Sequence, residues 1–230
     1  MGTTEGGLTV LMVMKTPRME RTEDTFIRTY TGAKFWPLNP RADEVAIEDI
    51  AHSLSLVCRF TGHTYCFYSV AEHSLRVSKL AEQLILAQNK SRNAVVITSA
   101  REVALWGLLH DASEAYLCDV PSPIKRAPGL GQLYKGFERN LMEVIAERFD
   151  LMPHEPAVVK DADRILLKTE MRDLMDAKEG FSLDWDYADY LPLPETIFPI
   201  DPQQAEVEFI RRFEALTMAL KAERAAVACE

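Results

Sequence analysis

Apolar residues recur at steps of three and four along most of this chain, and this periodicity limits the possible folds more than any other feature. Over residues 45–58 the period is carried by Ile47, Ile50, Leu54 and Val57, which predicts an amphipathic helix. Comparable patterns predict further helices over residues 69–84, 99–117, 131–149, 156–176 and 202–222. Because no segment alternates apolar and polar residues as a strand does, we predict an all-α fold, a compact helical bundle.

Several of these helices have recognisable ends. Ser69 and Ser99 are each followed three positions later by a glutamate, the signature of a capping box at the start of a helix. Pro121 and Pro123 are expected to end the helix that Ser99 opens. Asp201, with a proline directly after it, predicts the start of the last helix.

The chain divides into a short leader and one larger unit. We expect residues 1–25 to be a loosely ordered N-terminal segment and residues 26–230 to form a single domain that ends in a helix. The apolar run near the start follows Glu5 rather than a basic stretch, which argues against a signal peptide. Residues 30–40 are expected to be irregular or briefly extended, and residues 180–200 to wrap the surface.

The net charge and the cysteine content argue against some classes of function. The chain has 26 basic and 35 acidic residues, a formal net charge of −9, which disfavours duplex nucleic acid and anionic membranes as partners. No stretch approaches the roughly 18 consecutive apolar residues of a membrane span. The 4 cysteines form no paired motif, so we expect reduced thiols in a cytoplasmic protein. A small anionic substrate remains compatible if positive charge is concentrated locally.

Two histidines fall where the apolar face of a helix should continue. His73 lies between Val70 and Val77 on the helical period, so its ring is expected to face inward. His110 occupies an inward position on the following helix, where Gly107 permits the close approach of a neighbouring group. Taken singly, an inward histidine is more often a hydrogen-bonded core residue than a metal ligand.

Carboxylates share this placement. Asp163 lies on the inward face of its helix, with apolar residues four positions before and after it. Glu114 follows His110 by four positions and Asp111 by three, so these side chains are expected to point the same way. Asp163 alone could cap a helix or pair with a nearby cation, and Glu170 is interpreted as structural support or a salt-bridge partner.

Together, these inward groups predict a metal site. Two histidines and two aspartates on three helices would leave several buried polar groups without a common partner. A divalent cation supplies one, because neutral imidazole and ionised carboxylate are its natural ligands. We therefore predict that His73, His110, Asp111 and Asp163 share one divalent cation. Such a mixed ligand set also leaves positions open for water and substrate.

This pattern resembles the H…HD…D signature of the HD-domain metal-dependent phosphohydrolases. Three segments, "CRFTGHTYCFYSVAEHS", "LLHDASEAYLCDVPSPIK" and "VKDADRILLKTE", are similar in order and spacing to the subgroup that contains bacterial 5′-deoxynucleotidases and phage dATP triphosphohydrolases. The similarity covers about residues 30–176. It implies a helical fold of the HD-domain type and a nucleotide substrate. It also implies that His73, His110, Asp111 and Asp163, rather than Asp161, bind one divalent transition metal, which is Mn, Co or Zn, with Mg also possible.

The resemblance also implies roles for residues near the ligands. Glu114 corresponds to the catalytic glutamate of the family, and Asp119 to the aspartate that helps to place the sugar and the leaving oxygen. Arg59 and Phe60 correspond to an arginine and an aromatic residue that contact the nucleotide, although the bacterial enzyme has the larger Trp at the second position. Val120 stands where that enzyme has Thr beside the sugar.

Two further residues are candidates for substrate binding, because the phosphate charge must be met locally in an acidic protein. Lys125 follows the "DVPSPI" turn, and His63 lies in the "TGH" loop. Both also have simpler interpretations. Lys125 is equally compatible with an ordinary solvated lysine, and His63 with a residue that holds its loop.

Several functions remain open. Our preferred interpretation is a 5′-deoxynucleotidase that cleaves the 5′-phosphate ester of (2′-deoxy)nucleotides and releases the nucleoside. The alternatives are a triphosphohydrolase that releases triphosphate from a dNTP such as dATP, a non-catalytic nucleotide- or metal-binding regulator, and a purely structural helical protein. By analogy with the family, we also expect a homo-oligomer.

Overall fold

The computed structural model describes residues 18–91, 98–175 and 189–227, and helices dominate these ranges. An antiparallel hairpin comes first, with β1 (Ile27–Arg28) paired to β2 (Lys34–Phe35). The helices that follow are α1 (Ile47–Leu56), α2 (Val70–Ser91), α3 (Ala100–Leu109), α4 (Glu114–Leu117), α5 (Ser122–Lys125), α6 (Leu130–Arg148), α7 (Ala157–Leu174) and α8 (Pro202–Val227). The predicted all-α fold is confirmed, and β2 falls in the segment expected to be briefly extended.

Two expectations concern segments that are only partly described. Residues 1–17 of the expected leader and residues 180–188 of the expected surface segment lie outside the described residues. The remainder of the leader makes specific contacts, because Arg21 forms an ion pair with Glu44 and lies 3.9 Å from the ring centroid of Trp36. The division into leader and domain at residue 25 stays a prediction.

The prediction of one continuous helix over residues 99–117 is wrong, because the helix is interrupted in its middle. Helix α3 ends at Leu109, and α4 begins only at Glu114. Between them the backbone forms tighter turns, in which Ala112 N–H donates to the Leu109 carbonyl and Glu114 N–H donates to the Asp111 carbonyl. The chain therefore changes direction immediately after the predicted ligands, and the helical period no longer sets where Glu114 points.

Helix α3 lies at the centre of the molecule, because apolar side chains cover it on two sides. Its residues 103–109 are all buried. One part of the core packs α3 with α1, α6 and α8, and the other packs it with α2 and α7. This explains the continuous apolar run "VALWGLL". In the described ranges no helix is both long and apolar enough to cross a membrane.

Helices α2 and α3 pack closely at Gly107, as the sequence predicted. A Cβ atom at this position would lie 3.0 Å from the Cα atom of Ser78, closer than an unstrained contact. The hydroxyl of Ser78 also donates a 2.7 Å hydrogen bond to the Ala104 carbonyl. This approach places the first turn of α2 beside the end of α3, where His73 and His110 lie.

Candidate active site

The start of α2, the end of α3 and the middle of α7 bring the four predicted metal ligands together. Nε2 of His73 lies 3.3 Å from Nε2 of His110 and 3.2 Å from Oδ1 of Asp163. Oδ2 of Asp111 lies 3.2 Å from Nε2 of His110 and 3.7 Å from Nε2 of His73. One ligand atom from each of His73, His110 and Asp111 falls within 4.8 Å of the others, and Asp163 approaches this group through His73.

Hydrogen bonds at the outer nitrogens orient both imidazole rings. Nδ1 of His110 lies 2.9 Å from the Gly107 carbonyl oxygen, which can only accept, so this nitrogen carries the hydrogen. Nδ1 of His73 donates to Oε1 of Glu170 at 2.6 Å. In neutral rings both Nε2 atoms then present lone pairs to each other, an arrangement that repels unless a positive charge lies between them. The donor set therefore fits a divalent cation.

The charges around these nitrogens lead to the same conclusion. Burial disfavours a charged imidazole, yet the carboxylate of Asp111 raises the pKa of His110 to about 10. Despite burial, His110, His73 and Arg59 hold the pKa of Asp111 well below its usual range. Hydrogen bonding to His73 likewise outweighs burial and lowers the pKa of Asp163. The cluster consequently offers ionised acceptors and attracts positive charge.

Glu170 links the ligands to the substrate side of the cavity, and the sequence identified it only as structural support or an ion-pair partner. Its carboxylate is fully buried. Oε1 accepts from His73 and, at 2.8 Å, from the hydroxyl of Tyr68, and Oε2 lies 3.2 Å from Nη2 of Arg59. Burial opposes ionisation, but Arg59 and His73 lower its pKa. The ion-pair interpretation is confirmed.

A cavity of about 760 Å³ opens beside the metal cluster. The predicted site residues that line it are Arg59, Phe60, His63, Asp111, Glu114, Asp119, Lys125 and Asp163. Its remaining lining is largely apolar and includes Val120, Leu167, Met171 and Met175. A concave site with a few convergent polar groups on an apolar wall has the character of a small-molecule pocket.

Glu114 is the buried acid of this cavity. Oε1 accepts a 3.1 Å hydrogen bond from Nζ of Lys125, whereas Oε2 is buried and has no hydrogen-bond partner among the described residues. Burial, together with the neighbouring carboxylates of Asp111 and Asp119, raises its pKa well above the usual range. Burial is also the main cause of the raised pKa of Asp119. An unpaired carboxyl oxygen in such a place marks a candidate catalytic group.

A left-handed turn forms part of the cavity wall. Phe60 and Thr61 have φ values of 54° and 55°, and Gly62 continues the turn at 76°. The guanidinium carbon of Arg59 lies 5.4 Å from the ring centroid of Phe60, and His63 is exposed on the cavity rim. The sequence contained no signal for this conformation beyond the single glycine.

Lys125 is neither solvated nor free, contrary to one of the two interpretations above. Its ammonium lies 3.1 Å from Glu114 and 2.7 Å from Glu138. These carboxylates outweigh burial and raise its pKa. Lys125 therefore positions Glu114 as well as lining the cavity.

Comparison with known proteins gives a consistent result. Residues 50–170 match the family described as 5′-deoxynucleotidase YfbR-like. The uncharacterized protein YfdR of Escherichia coli strain K12 is 37% identical over 195 residues, which cover 84% of this chain and 96% of that protein. The 5′-deoxynucleotidase of Vibrio atlanticus strain LGP32 is 33% identical over 113 residues, which cover 42% of this chain and 57% of that enzyme.

Proposed function

Because the chain belongs to the YfbR-like 5′-deoxynucleotidase family, we propose that it is a metal-dependent phosphohydrolase acting on 2′-deoxynucleoside 5′-monophosphates. Water adds to the phosphorus, the bond from phosphorus to the 5′-oxygen breaks, and the products are the deoxynucleoside and inorganic phosphate. One observation carries the proposal: the His-Asp cluster opens onto the same cavity as a buried, unpaired oxygen of Glu114.

In this proposal the ion is bound by His73, His110, Asp111 and Asp163. When bound, a divalent ion draws charge from a phosphoryl oxygen and lowers the pKa of water from 15.7 toward about 7. Glu170 and the Gly107 carbonyl keep the two rings in the tautomer that leaves Nε2 available. That support makes the ligand geometry rigid before any substrate arrives.

Glu114 and Asp119 act on the reacting atoms. Glu114 orients the attacking water, accepts its proton and passes a proton to the departing 5′-oxygen, a contribution of about 10²–10⁴-fold in rate. Lys125 donates to Oε1, so Oε2, which has no partner among the described residues, remains available for these proton transfers. Asp119, which lines the same cavity, accepts a hydrogen bond from the sugar.

Arg59 is the main phosphate contact. Its side chain is 11% exposed and lines the cavity, and its Nε–H has no hydrogen-bond partner among the described residues. A guanidinium binds phosphate through directed N–H donors. Phe60 packs beside the nucleotide, and His63 contacts it from the rim.

A triphosphohydrolase is the second candidate, favoured by the size of the cavity and by Lys125 and Arg126 in its lining. Both activities break the same type of bond, so product analysis separates them. Release of inorganic phosphate from dAMP supports the first proposal, and release of triphosphate from dATP supports the second. Turnover of neither, with Mn²⁺, Co²⁺, Zn²⁺ or Mg²⁺ present, contradicts both.

We further propose that the protein is cytoplasmic and forms homo-oligomers. The free thiols of Cys58, Cys66 and Cys118 support a reducing compartment. Light scattering of the purified chain tests the oligomer, and a monomer at micromolar concentration contradicts it.

A further inference from the structure

Lys168 is a buried cation in the cavity wall. It lies on α7, lines the cavity and is only 8% exposed. Lysine is almost never buried to this extent without a paired acid. Across residues 18–91, 98–175 and 189–227 its ammonium has no hydrogen bond and no ion pair. A lysine with so little exposed surface and no partner for its ammonium among the described residues requires an explanation.

The other cations of the cavity differ in this respect. Arg59 lies 3.2 Å from Glu170 and 3.5 Å from Asp111. Lys125 lies between two carboxylates, and Arg126 also has a partner. The positive charges of these three are at least partly met by the protein itself. Lys168 alone among the lining cations of the described ranges has an unmatched charge.

The described neighbours of Lys168 on the α7 wall of the cavity do not supply an acid. Lys168 follows Asp163 by five residues, so it lies about 7.5 Å farther along the axis of α7. Leu167 and Met171, its neighbours in the cavity lining, are apolar. The acids that line the cavity are Asp111, Glu114, Asp119 and Asp163, and none of them forms an ion pair with Lys168. An anion that enters the cavity is therefore the fitting partner for this charge.

We propose that Lys168 is a substrate-binding residue whose ammonium donates a hydrogen bond to a phosphate oxygen of the bound nucleotide. This inference rests on the proposed function, since it takes the occupant of the cavity to be a nucleotide. It adds a contact on α7 to the proposed contact of Arg59. Two cations then bind the phosphate in a protein whose formal net charge is −9.

The test removes the charge of Lys168 and keeps a side chain of similar length and shape. Lys168→Met in the metal-loaded protein is expected to weaken binding of inorganic phosphate, measured by titration calorimetry, by about tenfold or more, the value of a charge-assisted hydrogen bond. The KM for dAMP rises by a similar factor, kcat changes less than about threefold, and metal affinity is unchanged. Lys168→Arg restores most of the phosphate affinity.

Lys160→Met is the matched control, because Lys160 lies on the same helix but is 57% exposed and paired with Glu155. It is expected to leave phosphate binding unchanged. If Lys168→Met unfolds, Lys168→Gln is examined in the same way. An unchanged phosphate affinity in the folded variant overturns the inference, and so does a KM effect that depends on the base while phosphate binding stays constant.

Titration calorimetry with inorganic phosphate tests the Lys168 contact independently of the proposed activity. If the parent protein binds inorganic phosphate through Lys168 but hydrolyses no nucleotide, the phosphate contact stands and the proposed activity fails. If the parent hydrolyses dAMP and Lys168→Met binds phosphate equally well, the activity stands and the contact fails.

Discussion

Residues on helices or directly after a helix form one part of the site, and residues of two irregular segments form the other. The first, which we call the ligand side, comprises His73, His110, Asp111 and Asp163, of which Asp111 and Asp163 line the cavity. The second, the loop side, comprises the segments 59–63 and 118–126, which include the short helix α5. A helix fixes the spacing of its side chains by its period, so the ligand side follows from sequence periodicity. The loop side has no such period.

The two sides also differ in backbone conformation. The described ranges contain four non-glycine residues with positive φ, and three of them, Phe60, Thr61 and Cys118, lie on the loop side. Each costs roughly 1–3 kcal/mol and persists only where the surrounding structure imposes it. The Arg59 N–H bond to the Tyr68 carbonyl, 2.9 Å, is one such restraint. The ligand side is thus held by helix packing, and the loop side by strained turns.

The largest effect is expected from breaking the ligand side. His110→Ala or Asp111→Ala removes a ligand, so bound metal is lost and kcat/KM falls by at least about 10³-fold, because the ion supplies several kcal/mol. Metal content by mass spectrometry and dAMP hydrolysis measure this. His52→Ala is the control, since His52 pairs with Glu206 on another face. Full metal occupancy in Asp111→Ala contradicts the assignment.

Glu114 tests the boundary between the two sides, because its carboxyl contacts neither ring and lines the cavity. Glu114→Gln is expected to keep its metal and lose about 10²–10⁴-fold in kcat. Metal analysis and steady-state kinetics on the same preparation give both values. Normal turnover by this variant means that another group carries the proton.

Glu170 is expected to give a smaller effect that still reaches both sides. Glu170→Gln removes the charge that supports His73 and Arg59, so metal affinity falls about 10–100-fold and the KM for dAMP rises. Competition with a metal chelator measures the affinity. Tyr68→Phe removes only one hydrogen bond to the same carboxylate and is expected to change the affinity less. Equal metal affinity in Glu170→Gln and the parent protein contradicts the role of Glu170 in supporting the metal ligands.

The smallest effect concerns strain on the loop side. Thr61→Gly removes the backbone strain of a β-branched residue at φ 55°. The stabilisation from removing this strain exceeds the roughly 0.4–1 kcal/mol that glycine costs by adding conformational entropy to the unfolded chain. Unfolding free energy is expected to rise by about 1 kcal/mol, and Tm by about 2–4 °C in calorimetry. Thr64→Gly relieves no such strain and loses a hydrogen bond to Cys66, so its Tm falls. A lower Tm for both variants contradicts the presence of backbone strain at Thr61.

Much of the helical framework could be predicted from the sequence. The capping positions Ser99 and Asp201 are confirmed, because their side chains accept from backbone N–H groups of the first turn. Ser69 likewise accepts from the N–H of Glu72. The Glu72 carboxylate, however, bonds Arg76 and the Ile200 N–H rather than completing its box. Local propensity sets where a helix starts, but distant partners decide where its side chains go.

The break after α3 and the contacts of Glu170 and Lys168 could not be predicted in the same way. Apolar periodicity continues from residue 103 to 117, although α3 ends at Leu109 and tighter turns follow it. Glu170 and Lys168 lie two residues apart on α7. Glu170 has three partners, whereas Lys168 has none among the residues that the structure describes. That difference depends on which elements pack against each face of the helix.

The sequence by itself determined the helical class, most helix boundaries and which polar side chains point inward, because the 3.6-residue period acts within each segment. The tertiary structure decided which inward faces meet. The approach of α2 to α3 at Gly107 brings two imidazoles within 3.3 Å of each other, and the left-handed turn at Phe60 forms another part of the cavity wall. Such contacts join residues far apart in the chain, where no local period extends, so only packing fixes them.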